Sequence, residues 1–307
     1  MAGAYAHITV VNHAQKMAKQ TAMSKDTKYA LGMHLKYAEL GAVSPDYPYL
    51  AHGQSVWADN MHYKNTSMLL KNGIEKIRGL TGVDREKAIS WLFGFAGHMT
   101  TDMTIHPIVE KIVGPYRGNE SAHRKCEMHQ DSYIFQRMDL GDLGLTEHLK
   151  TGIASCHAAG DIDRLDEGIA TVWLNMLKAA YPGADQTVMP EPDKWHRGFT
   201  GLLKTLTTAN RLFPFSRHVA TGLNLTYPEV KEIDNKYIHN LKTPEANMSY
   251  EAVFERACKN VISVWEGLDL ALSAKGNAFL DKLADWDLDT GRTVPQHAYV
   301  FWKKDTV

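Results

Sequence analysis

Apolar residues recur at intervals of three and four along most of the 307-residue chain, and long stretches that alternate apolar with polar residues do not occur. Intervals of three and four match the turn of an α-helix, whereas strict alternation is typical of a half-buried β-strand. The pattern therefore predicts an all-α protein. The predicted helices cover residues 8–22, 27–40, 66–80, 85–113, 121–140, 164–180, 193–211 and 250–274.

Proline and glycine mark the connections between these helices. Gly114 and Pro115 follow the helix 85–113, and the segment 181–192 is rich in proline. This segment is the best candidate for a boundary between two halves, but it is too short to establish one. We therefore expect one multi-helix domain over residues 1–307, in which the helices of residues 145–307 complete the fold.

The ends of the predicted helices carry capping residues. Asp84 precedes the helix 85–113 and Ser249 precedes the helix 250–274, and both side chains can accept a hydrogen bond from the first helical turn. Near the C-terminus, the aromatic segment 296–302 fits either a short strand or a packed tail.

The overall composition is that of an ordinary globular protein. Hydrophobic residues make up 44% of the chain and charged residues 22%, and the net charge is −1. A chain without a basic excess has no electrostatic reason to require nucleic acid or an anionic membrane surface as a partner. The longest apolar stretch, residues 88–99, is too short and too polar for a transmembrane helix.

The N-terminal residues and the cysteines favour a cytoplasmic protein. Residues 1–7 lack the basic segment and the apolar run of a signal peptide. Cys126, Cys156 and Cys258 include no CxxC pair, so we expect reduced thiols, and neither disulfides nor a thiolate zinc site.

Histidine is the unusual residue type, with 15 in the chain. His98, Asp102 and His106 are spaced four residues apart on a predicted apolar helix, and Pro107 predicts a kink or helix end at His106. Residues four apart share one helix face, where imidazoles and a carboxylate can bind metal. A lone helical histidine is usually solvated, but unpaired polar groups in an apolar helix are costly to bury. Gly94 and Gly97, one turn earlier, would let another backbone approach.

The next predicted helix repeats this spacing with His123, Glu127 and Asp131. Glu120 and His123 could instead form the Glu-x-x-His element of a di-iron bundle, but the sequence has no second such element. His129 lies on a different face from Glu127 and ranks below His123 as a ligand. Two such sets on consecutive helices favour a metal site over a chance pattern.

The ordered series of candidate ligands resembles that of the zinc-dependent phospholipase C family. This family shares its fold with the fungal single-strand nucleases and with glycosylphosphatidylinositol-specific phospholipase D. Its series is an N-terminal His, a loop Asp, a His, His-x3-Asp, a His, and His-x3-Glu or His-x3-Asp. All eight positions occur here in that order, within about residues 4–135: His7, Asp46, His62, His98, Asp102, His106, His123 and Glu127.

The resemblance implies an all-helical domain with two zinc ions, and a third where the N-terminal site is intact. The implied ligands are Asp46, His62, His98 and Asp102 for one ion, His106, His123 and Glu127 for the second, and His7, Asp102 and the N-terminal amine and carbonyl for the third. Secreted relatives begin at a ligating Trp, which this chain lacks near His7. Their spacing between the residues equivalent to Asp102 and His106 is also longer.

The resemblance further implies a phosphoric ester hydrolase that cleaves phosphodiesters with a water shared between two zinc ions. Asp46 would orient or deprotonate this water, and Asp59 and Asp131 are candidate partners of the ligand imidazoles. Tyr47 matches an aromatic residue that lines the choline pocket of bacterial phospholipases C. Phospholipid is therefore favoured over nucleic acid as the substrate, and no obligate protein partner is evident.

Two alternatives stay open at the level of sequence. A nuclease or small-molecule phosphoesterase of the same fold would need an aromatic slot, which Tyr49, Trp57 or Tyr63 could supply. A metal-binding interaction protein without turnover is the other alternative. The chain contains no HExxH, P-loop or GxSxG motif and no His-Asp dipeptide, so the sequence gives no support to metalloprotease, nucleoside triphosphatase, serine hydrolase or HD-type phosphohydrolase functions.

Overall fold

The structure is a computed structural model that describes residues 3–138, 144–205, 227–273 and 278–303. These residues form twelve α-helices and two small antiparallel sheets, which confirms the all-α prediction. The helices are α1 (Ala4–Ala18), α2 (Lys25–Met33), α3 (Leu35–Val43), α4 (Ser55–Tyr63), α5 (Thr66–Arg78), α6 (Gly82–Val113), α7 (Glu120–Phe135), α8 (Gly144–Thr151), α9 (Glu167–Ala180), α10 (Pro192–Thr205), α11 (Tyr250–Ser273) and α12 (Ala278–Lys282). Strand β1 (His157–Ala158) pairs with β2 (Asp161–Leu165), and β3 (Asp285–Asp287) pairs with β4 (Arg292–Val294).

Helix α6 is the central element of the fold. Every residue from Ala88 to Val109 is buried, so this part of the helix has no face in contact with solvent. A helix that is buried all round must be covered by neighbours on every side. The neighbours that pack against it are α1, α2, α3, α5, α7, α9 and α11.

Helices α3 and α6 approach each other closely enough for their backbones to touch. A Cβ atom at Gly94 of α6 would lie 1.9 Å from the carbonyl oxygen of Ala38, and one at Gly41 of α3 would lie 2.0 Å from that of Trp91. Only glycine leaves room for such a contact. The predicted approach of another backbone is therefore present at Gly94. It is absent at Gly97, where the nearest atom to an added Cβ among the described residues is Cγ2 of the Val11 side chain, at 2.8 Å.

The C-terminal part of the chain packs along the same central helix. Trp265 of α11 donates its indole N–H to the carbonyl of Phe93 at 2.7 Å, and Trp302 donates to the carbonyl of Thr104 at 2.9 Å. The segment 296–302 forms one bridge, at Tyr299, and otherwise packs as a tail. One hydrophobic cluster accordingly contains buried side chains from α1 to Trp302.

Several helix boundaries differ from the predicted ones because tertiary contacts set them. The predicted helix 27–40 is two helices, α2 and α3, which meet at His34 (φ −119°, ψ 35°). Helix α9 begins only at Glu167, because Asp166 accepts hydrogen bonds from two N–H groups of its first turn and the preceding residues form β2. Helices α4, α8 and α12 were not predicted.

The two predicted N-caps have opposite outcomes. The Oγ atom of Ser249 accepts a hydrogen bond from the N–H of Ala252 at 3.3 Å, so this cap is present. Asp84 is not a cap, because α6 begins at Gly82. At its other end, α6 does not stop at His106 but continues through Pro107 to Val113. The predicted helical residues 139–140, 206–211 and 274 lie outside the described residues.

None of the described helices combines the length and the apolar character that crossing a bilayer requires.

Candidate metal centre

Asp102 of α6 lies at the centre of a cluster of buried imidazoles. Its Oδ1 atom is 3.2 Å from Nε2 of His7 and 3.3 Å from Nε2 of His106. Its Oδ2 atom is 3.2 Å from Nε2 of His98 and 3.8 Å from Nε2 of His62. Helices α1, α4 and α6 therefore direct four imidazole nitrogens at the two oxygens of one carboxylate.

Asp46 extends the cluster beside Oδ2 of Asp102. Asp46 lies in the 3₁₀ helix Ser44–Leu50 that follows α3, and its Oδ1 is 3.5 Å from Nε2 of His62. The Nε2 atoms of His62 and His98 are 3.4 Å apart. Two sets of three ligand atoms each lie within 4.8 Å of one another: Asp46, His62 and His98, and His7, His98 and Asp102.

Backbone carbonyls orient three of the four imidazoles. A carbonyl can only accept a hydrogen bond, so the Nδ1 atom that contacts it carries the proton, and Nε2 of the neutral ring presents its lone pair to the cluster. The pairs of Nδ1 and carbonyl are His62 with Ala58 (2.7 Å), His98 with Ala42 (2.8 Å) and His106 with Leu288.

The electrostatics of the cluster favour an ionised Asp102 beside neutral rings at His7 and His106. Burial lowers the pKa of both His7 and His106 to about 4. Burial opposes ionisation of Asp102, but the surrounding imidazoles hold its pKa well below the usual value. Burial likewise disfavours a charged His98, yet Asp102 and Asp46 raise its pKa. The two carboxylates thus favour positive charge between them.

The residues present fit a zinc site. The ring of His7 stacks on that of His98, with the ring centroids 3.9 Å apart. Two buried nitrogens, Nδ1 of His7 and Nε2 of His106, have no hydrogen-bond partner among the described residues. A buried polar atom without a partner costs free energy, which a metal ligand bond would offset. Imidazole nitrogens and carboxylate oxygens are also ligands that zinc prefers.

His123 and Glu127 lie together on α7, apart from the two sets of three. Nε2 of His123 contacts the carbonyl of Gly114 at 2.7 Å, and its Nδ1 is 3.8 Å from Oε1 of Glu127. Both side chains are buried, and Glu127 is near enough to act on the pKa of His106. His129 faces elsewhere, because its Nδ1 accepts a hydrogen bond from the N–H of Asp234 at 3.1 Å.

The predicted substrate aromatics occupy two different environments. Tyr47 is fully buried, and its ring stacks on that of Phe199 with centroids 5.4 Å apart, so its contact with choline stays a prediction. Trp57 is also buried. Tyr49 and Tyr63 are partly exposed, and their ring centroids lie 6.4 and 6.1 Å from that of His62.

The outer partners of the imidazoles differ from those that the sequence indicated. Asp131 accepts hydrogen bonds from the N–H of Ala6 at 2.8 Å and from the hydroxyl of Tyr227 at 3.1 Å, and it contacts no ligand imidazole. Asp59 accepts a hydrogen bond from Tyr49. The partners come instead from backbone carbonyls, one of them in the turn between β3 and β4, where the sequence carries no motif.

The comparisons with known proteins give one match. The family model described as zinc dependent phospholipase C matches residues 6–183, which is more than half of the chain and includes all eight predicted ligands. No curated protein and no solved structure matches the chain.

Proposed function

Because the chain belongs to the zinc-dependent phospholipase C family, we propose that it is a zinc-dependent hydrolase of phosphodiesters. The observation that carries this proposal is the placement of four imidazole Nε2 atoms around the two carboxylate oxygens of Asp102. A buried set of nitrogen and oxygen ligands around one bridging carboxylate is typical of a centre with more than one ion.

The proposed ligands divide between the two oxygens of Asp102. Asp46, His62, His98 and Asp102 hold one ion, and the short distances among their ligand atoms support this set. His106, His123 and Glu127 hold the second ion, for which the location of His106 beside Oδ1 of Asp102 is the support. His7 and Asp102 contribute to a third site.

Zinc, when bound, would lower the pKa of a water molecule in the site and neutralise charge on the phosphoryl oxygens. Asp46 would orient the attacking water and accept its proton while the water oxygen forms the new bond to phosphorus and the ester P–O bond breaks. The departing oxygen would then take up a proton and leave as an alcohol. An ionised Asp102 and neutral rings at His7 and His106 are the protonation states that metal binding requires. All eight proposed ligand residues are at most 2% exposed, and this burial strengthens each electrostatic contact in the site.

Phospholipid is the proposed substrate class, with a nuclease of the same fold as the second candidate. The net charge of −1 supports phospholipid over long nucleic acid strands, which basic surfaces usually bind. The partly exposed rings of Tyr49 and Tyr63 beside His62 favour the nuclease, because a base can stack on such rings. The predicted cytoplasmic location stays a prediction.

The test is zinc content and hydrolysis, measured on the wild type and on His98→Ala, His123→Ala and the exposed control His239→Ala. We expect about two or three zinc ions per chain in the wild type and in the control, and at least one fewer in each ligand variant. Hydrolysis of phosphatidylcholine, single-stranded DNA and a small phosphodiester should fall about 100-fold or more when a chelator removes the metal.

Each other outcome has a defined meaning. Cleavage of single-stranded DNA alone, among the three substrates, would show that the protein is a nuclease and that phospholipid is not its substrate. Bound zinc without cleavage of any of the three substrates would identify a non-catalytic metal-binding protein. A wild type that takes up no zinc would overturn the metal centre itself.

A further inference from the structure

The turn between β3 and β4 contacts two proposed ligands, although it lies outside residues 6–183 that match the family. The N–H of Leu288 in this turn donates a hydrogen bond to the carbonyl of His62 at 3.1 Å. The carbonyl of the same residue accepts from Nδ1 of His106. One residue of the turn thus connects a ligand on α4 with a ligand on α6.

Asp289, the next residue, places a negative charge behind the ring of His106. Its Oδ1 atom is 3.8 Å from Nδ1 of His106, and the side chain is 17% exposed. Its Oδ2 atom accepts a hydrogen bond from the hydroxyl of Tyr63 at 2.6 Å. Asp287 fixes the turn itself, because its Oδ1 accepts hydrogen bonds from the N–H groups of Asp289 and Thr290.

The same turn packs against α6 at the point where a proline directly follows a proposed ligand. Pro107 has no N–H, so it cannot donate the usual helical hydrogen bond to the carbonyl of Met103. Gly291, with φ +69°, packs at this point: a Cβ atom there would lie 2.3 Å from Cγ of Pro107 and 2.7 Å from the carbonyl oxygen of Met103. The turn therefore contacts α6 on both sides of His106.

We propose that residues 287–291 are an outer part of the metal centre and that Asp289 is a positioning residue for His106. This inference rests on the proposed metal centre. A carboxylate beside Nδ1 stabilises the orientation in which Nε2 faces the metal and makes that nitrogen a better donor. Tyr63 holds the carboxylate in place, so it belongs to the same arrangement.

The β3–β4 hairpin offers a matched control for Asp289. Asp285 lies on β3, and its Oδ1 accepts a hydrogen bond from the backbone N–H of Ser67 at 2.9 Å. Asp285→Asn therefore makes the same chemical change as Asp289→Asn in the same hairpin, at a contact with α5 instead of a contact with His106.

The experiment measures zinc affinity by competition with a chelator, together with the visible spectrum of the cobalt(II)-substituted protein. Asp289→Asn should lower zinc affinity by about 10- to 100-fold and change the cobalt spectrum. Asp285→Asn should leave both unchanged, even if it lowers the melting temperature. Asp289→Glu should recover part of the affinity, and Tyr63→Phe should have little further effect in the Asp289→Asn background.

The outcomes separate this inference from the proposed function. Zinc affinity and cobalt spectra of Asp289→Asn that match the wild type would overturn the role of Asp289, as would an equal loss in Asp285→Asn. A wild type that binds zinc but cleaves no phosphodiester would overturn the proposed function and leave the role of the hairpin intact. A wild type that binds neither metal would overturn both.

Discussion

Asp131 is a carboxyl group that the fold buries at the start of the helix carrying His7. It accepts a hydrogen bond from the N–H of Ala6, and a Cβ atom at Gly3 would lie 1.9 Å from its Oδ2. The sequence placed it on a face with His123 and Glu127, where it was a candidate partner of an imidazole. In the structure it stabilises the first turn of α1, and for this reason α1 begins earlier than its apolar pattern indicates.

Burial raises the pKa of Asp131 to about 8, which predicts an unusual dependence of stability on pH. Between about pH 4 and pH 8 the folded chain retains a proton that the unfolded chain has lost. The free energy of unfolding should therefore fall as the pH rises through this window, by up to about 1.4 kcal/mol per pH unit. Asp131→Asn should lose this contribution to the slope in urea unfolding between pH 5 and pH 8.

Asp281→Asn, at an exposed aspartate, is the control for this measurement and should keep the slope of the wild type. If Asp131→Asn and the wild type give parallel curves of stability against pH, the carboxyl is ionised in the folded protein and the argument from burial is wrong.

Among the helix contacts, the one between α3 and α6 connects the fold with the proposed metal centre. Gly41 and Gly94 allow the two backbones to touch, and Ala42, next to Gly41, supplies the carbonyl that orients His98. The distance between the two helices thus determines where Nε2 of His98 points. The sequence indicated a close approach at Gly94, but it did not indicate which helix approaches.

Gly94→Ala and Gly41→Ala should each destabilise the protein by about 3 kcal/mol or more, because the added methyl group meets backbone atoms that cannot move aside. Zinc affinity should fall as well, because the carbonyl of Ala42 is displaced from His98. Gly201→Ala is the control: nothing lies within 4 Å of an added Cβ there, so this change in α10 should stabilise by about 0.5–1 kcal/mol. Chemical unfolding and chelator competition measure both effects, and a Gly94→Ala variant as stable as the wild type would contradict the contact.

At the scale of the whole molecule, the part of the chain that matches the family and the part that follows it share one core. Residues 6–183 contain the eight predicted ligands, whereas Trp265, Leu288 and Trp302 lie beyond residue 183 and are buried against α6 and its predicted ligands. A core built from both parts is expected to unfold as a single cooperative unit. One domain over residues 1–307 stays a prediction, which unfolding experiments test.

We expect the full chain to unfold in one calorimetric transition and a fragment of residues 1–183 to show no cooperative transition. The fragment lacks α11 and the β3–β4 hairpin, so α6 would expose apolar surface and His106 would lose its carbonyl partner. Two transitions in the full chain, or a fragment that melts and binds zinc like the wild type, would show that the two parts fold separately.

Features that depend on neighbouring residues could be predicted from the amino-acid sequence. The helical period placed His98, Asp102 and His106 on one face of α6 because hydrogen bonds within the helix set that geometry locally. The apolar run around them indicated a buried helix, and the order of the eight candidate ligands indicated the family that residues 6–183 match.

Contacts between residues far apart in sequence became visible only in the folded structure. It brings His7 and His62 to Asp102, selects Nε2 as the nitrogen that faces the cluster, and places a carbonyl 182 residues away behind His106. It also buries Tyr47, for which the family resemblance had implied a contact with substrate. These contacts depend on how helices and the hairpin pack against one another, and no local hydrogen-bond pattern in the sequence specifies that packing.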